Sequence, residues 1–323
     1  MSAGGGTRAI IAALAANLGI AATKFVAWLL TGSSSMLAES IHSVADSGNQ
    51  ALLLIGGKRA QRKATPEHPF GYGRDRDIYA FIVAIVLFSV GGLFALYEAY
   101  HKISDPEPIE NWQWVPIAVL VVAIGLESYS FRTAIHESNL IRGKSGWVQF
   151  VRRAKAPELP VVLLEDAGAL LGLVFALFGV VLTLITHDGT WDGIGTAAIG
   201  LLLVTIAVVL ALETKSLLLG EGATPEDVRR IETALLAGAG VQRIIHMKTL
   251  YLGPEELLVA AKIAVQPSER AAELATHIDE AETRIRGALP IARVIYIEPD
   301  IYHPSDGDDL GARAVGAVPP ARA

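Results

Sequence analysis

Apolar residues gather into six long runs, at about 8–31, 36–57, 77–101, 114–136, 160–186 and 193–216. Each is long enough to cross a bilayer as a helix, which takes about 20 residues. The last contains IGTAAIGLLLVTIAVVLALE, with almost nothing polar in it. The first run is too long for the apolar core of a signal peptide, and no small-residue cleavage site follows it, so it predicts a retained span. After Glu213 the pattern changes to soluble-type alternation, rich in charge over 221–302.

The expected architecture is an all-α transmembrane domain of six helices over 1–216 and a cytoplasmic α+β domain over 217–302. The Gly-, Ala- and Pro-rich tail, 303–323, is expected to be disordered. Within the soluble part, ATPEDVRRIETALLAG reads as a helix with Thr224 as N-cap and Pro225 at its first position. VQRIIHMKTLYL and LLVAAKIAVQ read as strands joined by the turn GPEE. SERAAELATHIDEAETRIRGAL predicts a second helix capped by Ser268, and ARVIYIE a last strand. The order α-β-β-α-β suggests two helices on one face of a three-stranded sheet.

Orientation follows from where the cations fall. The connection after run two holds Lys58, Arg59, Arg62, Lys63, Arg74 and Arg76, and that after run four holds Arg142, Lys144, Arg152, Arg153 and Lys155. The other connections, TGSSS, SDPEPIENWQ and THDGTWD, carry no Lys or Arg. The positive-inside rule then puts both termini and the soluble domain in the cytoplasm. Trp112, Trp114 and Trp191 sit at outer span ends, where interfacial aromatics belong.

Composition narrows the function. The chain is 52% hydrophobic without counting its 31 glycines, 19% charged, and has a mean hydropathy of +0.42. That excludes a disordered chain and argues against an ordinary soluble enzyme. The net charge of −6 gives no nucleic-acid footprint. With no cysteine, any metal chemistry rests on His, Asp and Glu. The chain shows no nucleophile–base motif, no phosphate-cradling loop and no sign of an organic cofactor, so an enzyme is a poor fit.

Ionisable residues inside a span are costly and by default mark a site. Run two carries SMLAESIHSVADSGNQALLLIGG, in which His42 and Asp46 are four apart and project from one helix face. An imidazole and a carboxylate so placed can chelate one divalent ion, and the pairing suits zinc and similar metals. Glu39 lies near that face, one turn outward. Run five carries ELPVVLLEDAGALLGLVFALFG, where Glu165 and Asp166 interrupt an apolar stretch. Adjacent residues point about 100° apart on a helix. One of the two is therefore expected to ligate and the other to pair with a neighbouring helix. Glu158, beside Pro160, reads as interfacial. Asn17 and Asn49 read as interhelical hydrogen-bond formers. For Glu127 in run four, pairing, proton relay and an aqueous cavity remain open.

Together, GSSSMLAESIHSVADSGNQ, the following HPFGYGR, ELPVVLLED and the α-β-β-α-β domain resemble the cation diffusion facilitator family of divalent-metal/proton antiporters, over roughly 7–300. ELPVVLLED is similar to the subgroup that contains zinc transporter 9. The resemblance implies a transport site with two residues from span two and two from span five, each pair four apart. His42 and Asp46 match the first pair and Asp166 half of the second, whose other half falls on Val162. Tetrahedral zinc needs four ligands, so Glu165, Glu39, a water or an asparagine would complete the shell.

Other positions are implied by the same resemblance. His68 matches one ligand of a loop site, with Tyr72 and Thr65 at its other positions; a turn built by Pro69, Gly71 and Gly73 is the plainer reading. His246, His277 and Glu298 match ligands of a cytoplasmic two-zinc site in which Lys262 and Tyr296 replace two others. Arg74 matches a cation that pairs with an acid near the end of span six, here Glu213 or Glu221. The implied protein is a homodimer in a lipid bilayer, exporting zinc or another divalent cation against protons. Manganese, iron or cobalt transport, and a non-transporting scaffold dimerised by its soluble domain, are the competing readings. A bacterial inner membrane is the expected location.

Overall fold

The structure, a computed structural model, describes residues 3–31, 34–106 and 113–303, with the side chains of 3–6, 27–28, 30–42, 45 and 153 outside that description. The expected disorder of the tail falls on residues outside it, save for His303. The chain forms two compact units, one made of Met1–Lys63 with Arg74–Leu218, the other of Ala64–Gly73 with the chain from Leu219 onward.

The first unit is helical throughout: α1 (Ala3–Thr31), α2 (Ser34–Ala60), α3 (Asp75–Val86), α4 (Phe94–Ser104), α5 (Trp114–Arg142), α6 (Trp147–Arg153), α7 (Glu158–Thr186) and α8 (Thr190–Leu219). A π-helical segment, Leu87–Leu93, joins α3 to α4 without a break, so Asp75–Ser104 is one apolar span. Five helical stretches among the described residues are long and apolar enough to cross a membrane: Thr7–Val26, Asp75–Ser104, Trp114–Arg142, Glu158–Thr186 and Thr190–Leu219. These establish a multi-pass membrane protein. The second of the six expected spans, α2, is 27 residues long, and much of its first half lies outside the described side chains. Its Glu39, His42, Ser43, Asp46, Ser47, Asn49 and Gln50 dilute the apolar run.

Helix α1 packs on α2, α5 and α7; α2 packs on α3; and α5 packs on α7. The core runs through Ala9, Leu53, Val83, Val162, Leu210 and their neighbours. Glycines set the closest approaches. A Cβ on Gly168 would fall 2.5 Å from Ile206, and one on Gly92 2.6 Å from Val204, so α8 lies against both α7 and the π-helical segment. At Gly179 and Gly195 the would-be neighbours are backbone atoms, Trp191 O and Phe175 O, each at 2.9 Å. Small residues let membrane helices come this close.

The second unit holds α9 (Pro225–Leu236), β1 (Arg243–Gly253), β2 (Glu256–Ala264), α10 (Ala271–Ala288) and β3 (Ala292–Asp300). This is the expected α-β-β-α-β order. The sheet runs β1-β2-β3, with β1 and β2 antiparallel and β2 and β3 parallel. Ile231, Leu235, Leu257, Val259, Ile263 and Ile285 form its core between sheet and helices. Thr224 caps α9 as expected, its Oγ1 accepting from the Asp227 N–H at 3.2 Å. The cap of α10 is Arg270 instead of Ser268. Glu273 reaches back to accept from the Arg270 N–H at 3.3 Å, which moves the helix start two residues along.

The segment Ala64–Gly73 belongs to this unit. Thr65 and His68 exchange backbone hydrogen bonds of 3.1 and 3.0 Å, and Gly71 takes a left-handed φ of +76°. Gly73 lies so close to β1 that a Cβ there would sit 2.3 Å from Leu252 O. Only glycine fits that approach.

Candidate metal site

Residues 42, 46, 49 and 50 of α2 recur at helical spacing and form one polar stripe along the helix. On α7 the same period selects 158, 162, 165 and 166. The two stripes meet. Asn49 Nδ2 donates to Glu165 Oε1 at 3.2 Å and Gln50 Nε2 to Glu165 Oε2 at 2.8 Å. Both amides are 1% exposed. Glu165 is thus the member of the acidic pair that ties α7 to α2, and Asn49 is the interhelical bond former its position suggested.

Asp166 faces another way. Its Oδ2 accepts a 2.6 Å hydrogen bond from Ser130 Oγ of α5, and both residues are fully buried. Glu127, one turn before Ser130, is also buried and lies in electrostatic range of Asp166, Asp46 and Lys24. Asp46 is half-buried on α2 and is the charge that Glu127, Glu165 and Asp166 all sense. The site is therefore a patch of acid between α2, α5 and α7, with amides and hydroxyls as its donors.

Of the four residues singled out from the sequence, Asp46 lies within electrostatic range of both Glu165 and Asp166. His42 lies on α2 one turn before Asp46, and its side chain is outside the described residues, as is that of Glu39. Val162 is fully buried and offers no ligating atom. Among the described residues no group of three His, Asp or Glu side chains is gathered closely enough to hold a metal ion. Glu158, the first residue of α7, is buried and paired with Arg76 Nε at 3.3 Å. Glu213 pairs with Arg152 at 3.6 Å.

Three residues of the patch escaped the sequence reading. Ser130 and Gln50 are too common in membrane helices to stand out. Lys24, 5% exposed on α1, carried a usable signal: a lysine inside an apolar run is as costly as the acids that were weighed.

In the soluble unit, strand register sets His246, Lys262 and Glu298 in one row. Lys262 Nζ bonds Glu298 at 3.2 Å and Asp300 at 2.8 Å. Those two carboxylates hold the Lys262 ammonium above its ordinary range, and the ammonium holds Asp300 below its own. His277 Nδ1 contacts Glu269. Of the positions that the family resemblance offered to zinc, Glu298 is thus taken up by Lys262 and His277 by Glu269, whereas His246 Nδ1 is buried without a hydrogen-bond partner among the described residues. In the segment 64–73, His68 stacks on Tyr72 with ring centroids 4.6 Å apart, and Thr65 bonds the Tyr72 hydroxyl at 3.3 Å. These contacts build a turn.

Apolar helices that enclose acids, joined to a small α/β unit, define a multi-span membrane protein of the ion-transporter class. The chain belongs to the cation efflux family, whose transmembrane-domain model matches residues 10–219. That is a family of transporters and not of enzymes. The chain is 32% identical over 243 residues to the mitochondrial proton-coupled zinc antiporter SLC30A9 of Xenopus laevis, a match covering 74% of this chain and 43% of that protein. It is 27% identical over 258 residues to metal tolerance protein C4 of Arabidopsis thaliana, covering 79% of this chain and 56% of that one. It is 26% identical over 259 residues to the metal cation efflux system protein CzcD of Cupriavidus metallidurans, covering 79% of this chain and 76% of that one. The chain spans less than half the length of the Xenopus laevis antiporter it matches.

Proposed function

We propose that this protein is a secondary active transporter that exports a divalent cation, zinc first, from the cytoplasm in exchange for protons. The observation that carries the reading is Asp166, an acid 2% exposed within a 29-residue apolar helix, held by Ser130 of α5 and within electrostatic reach of Asp46 of α2. An acid so placed is retained against its cost only for use. Asp46 and Asp166 supply two carboxylates against the charge of the ion, and His42, one turn from Asp46, supplies a nitrogen. Ligands must be deprotonated to bind metal, so metal and protons compete for one set of atoms. Inward protons release the ion on the far side. α2 is the sixth span in this reading, its polar residues meeting α1 at Ser43 and α7 at Asn49 and Gln50.

The cations clustered after spans two and four support cytoplasmic termini and a cytoplasmic soluble unit. A bacterial inner membrane is the proposed setting. A homodimer joined through the soluble unit is proposed with it. Val162, which cannot ligate, favours a second substrate class: with oxygen donors dominating, manganese, iron or cobalt suit the site better than a full nitrogen–oxygen tetrahedron would.

The test is flux. Purified protein in vesicles with a pH gradient should move zinc, and Asp46→Ala and Asp166→Ala should each abolish movement. Undiminished transport by Asp46→Ala sinks the site. Competition by manganese, iron and cobalt in the same vesicles decides the metal.

A further inference from the structure

Lys24 is the one buried Lys or Arg among the described residues. It lies in the span Thr7–Val26, two turns from the end of α1, where a lysine normally snorkels its ammonium to the interface. Instead the side chain is 5% exposed and turned into the bundle, where Nζ donates to Ser43 Oγ of α2 at 3.2 Å. Ser43 is itself fixed, its carbonyl accepting from Ser47 Oγ at 3.0 Å, and it sits between His42 and Asp46. Glu127, from α5, feels the Lys24 charge together with those of Asp46 and Asp166. Acids from α2 and α7 thus lie within electrostatic range of Glu127 of α5, and α1 brings a buried ammonium into that same range.

We propose that Lys24 is the resident cation of this core, a positioning residue that sets how tightly a divalent ion is held and how readily it leaves. The inference rests on the transport reading above. With the site empty, the ammonium offsets part of the acid charge that would otherwise repel itself in a low-dielectric interior. When a divalent ion enters, the same ammonium repels it. Binding is weakened and release is eased, without Lys24 touching the ion.

Zinc binding to the purified full chain and zinc flux in vesicles test this. Lys24→Met should bind zinc on the order of tenfold more tightly than the wild type, with KM and kcat both lowered because release slows. Lys24→Arg keeps the charge and should stay within about twofold of the wild type. Combining Lys24→Met with Glu127→Gln should return affinity towards the wild-type value, since the two charges couple. Lys24→Gln, which retains a donor to Ser43, repeats the measurement if Lys24→Met does not fold. Wild-type binding and flux with unchanged affinity in a folded uncharged variant overturns the role of Lys24 alone. A wild type that neither binds nor moves zinc overturns the transport reading and this one with it.

Discussion

Ser130 of α5 donates a 2.6 Å hydrogen bond to Oδ2 of Asp166 of α7, and neither residue is open to the surroundings. The bond fixes which way the carboxylate points. Ser130→Ala should cost about 1–3 kcal/mol of stability and weaken zinc binding several-fold. Thermal unfolding and zinc titration of the same preparation check both.

The acidic pair on α7 should divide its labour. Glu165→Ala strands the amides of Asn49 and Gln50, each a buried donor worth about 1–3 kcal/mol when left unmet. It should lower the melting temperature while zinc still binds. Asp166→Asn should leave the melting temperature nearly unchanged and remove zinc binding. The reverse pattern would exchange the two roles.

Glycines on α7 and α8 should differ in tolerance according to what faces them. A Cβ on Gly195 meets backbone at 2.9 Å, whereas one on Gly172 meets the Ile199 side chain at 3.6 Å. Gly195→Ala forces two helix axes apart and should cost about 1–3 kcal/mol, as overpacking does. Gly172→Ala is expected to melt with the wild type.

The Lys262 cluster should leave its mark at both ends of the pH scale. Asp300 titrates below its ordinary 3.8, so the stability it adds is present above that value and is lost as pH falls through the lowered one. Lys262 titrates above its ordinary 10.5, so its contribution is present below that value and is lost as pH rises through the raised one. The soluble unit should hold steady between about pH 5 and pH 9. In Lys262→Ala the losses at both extremes should shrink. Unfolding followed across pH in the full chain reads this, and a Lys262→Ala profile that overlays the wild type removes the cluster from the account.

Much of this was legible in the residues. The apolar runs, the α-β-β-α-β order and the acids on α7 follow from composition and period, which act locally. Partner choice does not. That Asp166 turns to Ser130 while Glu165 turns to Asn49 and Gln50 depends on how α7 is rotated against α5 and α2, which contacts between residues far apart in the chain decide. Lys262 was visible as a poor metal neighbour; its bond to Asp300, two residues beyond Glu298 on β3, needed the parallel register of β2 and β3. Pro160 marks the boundary at which α7 begins with Glu158, but the partner of Glu158, Arg76, comes from another helix and was not legible locally.

The segment 64–73 has a practical consequence. Between α2 and α3 the chain leaves one unit, contributes a turn to the other and returns, so three covalent crossings link the two instead of one. A fragment cut to begin at residue 219 would be missing the piece whose Gly73 lies on Leu252, and would present that end of β1 bare. Swapping soluble units between relatives therefore calls for two grafts, the short internal one as well as the C-terminal one.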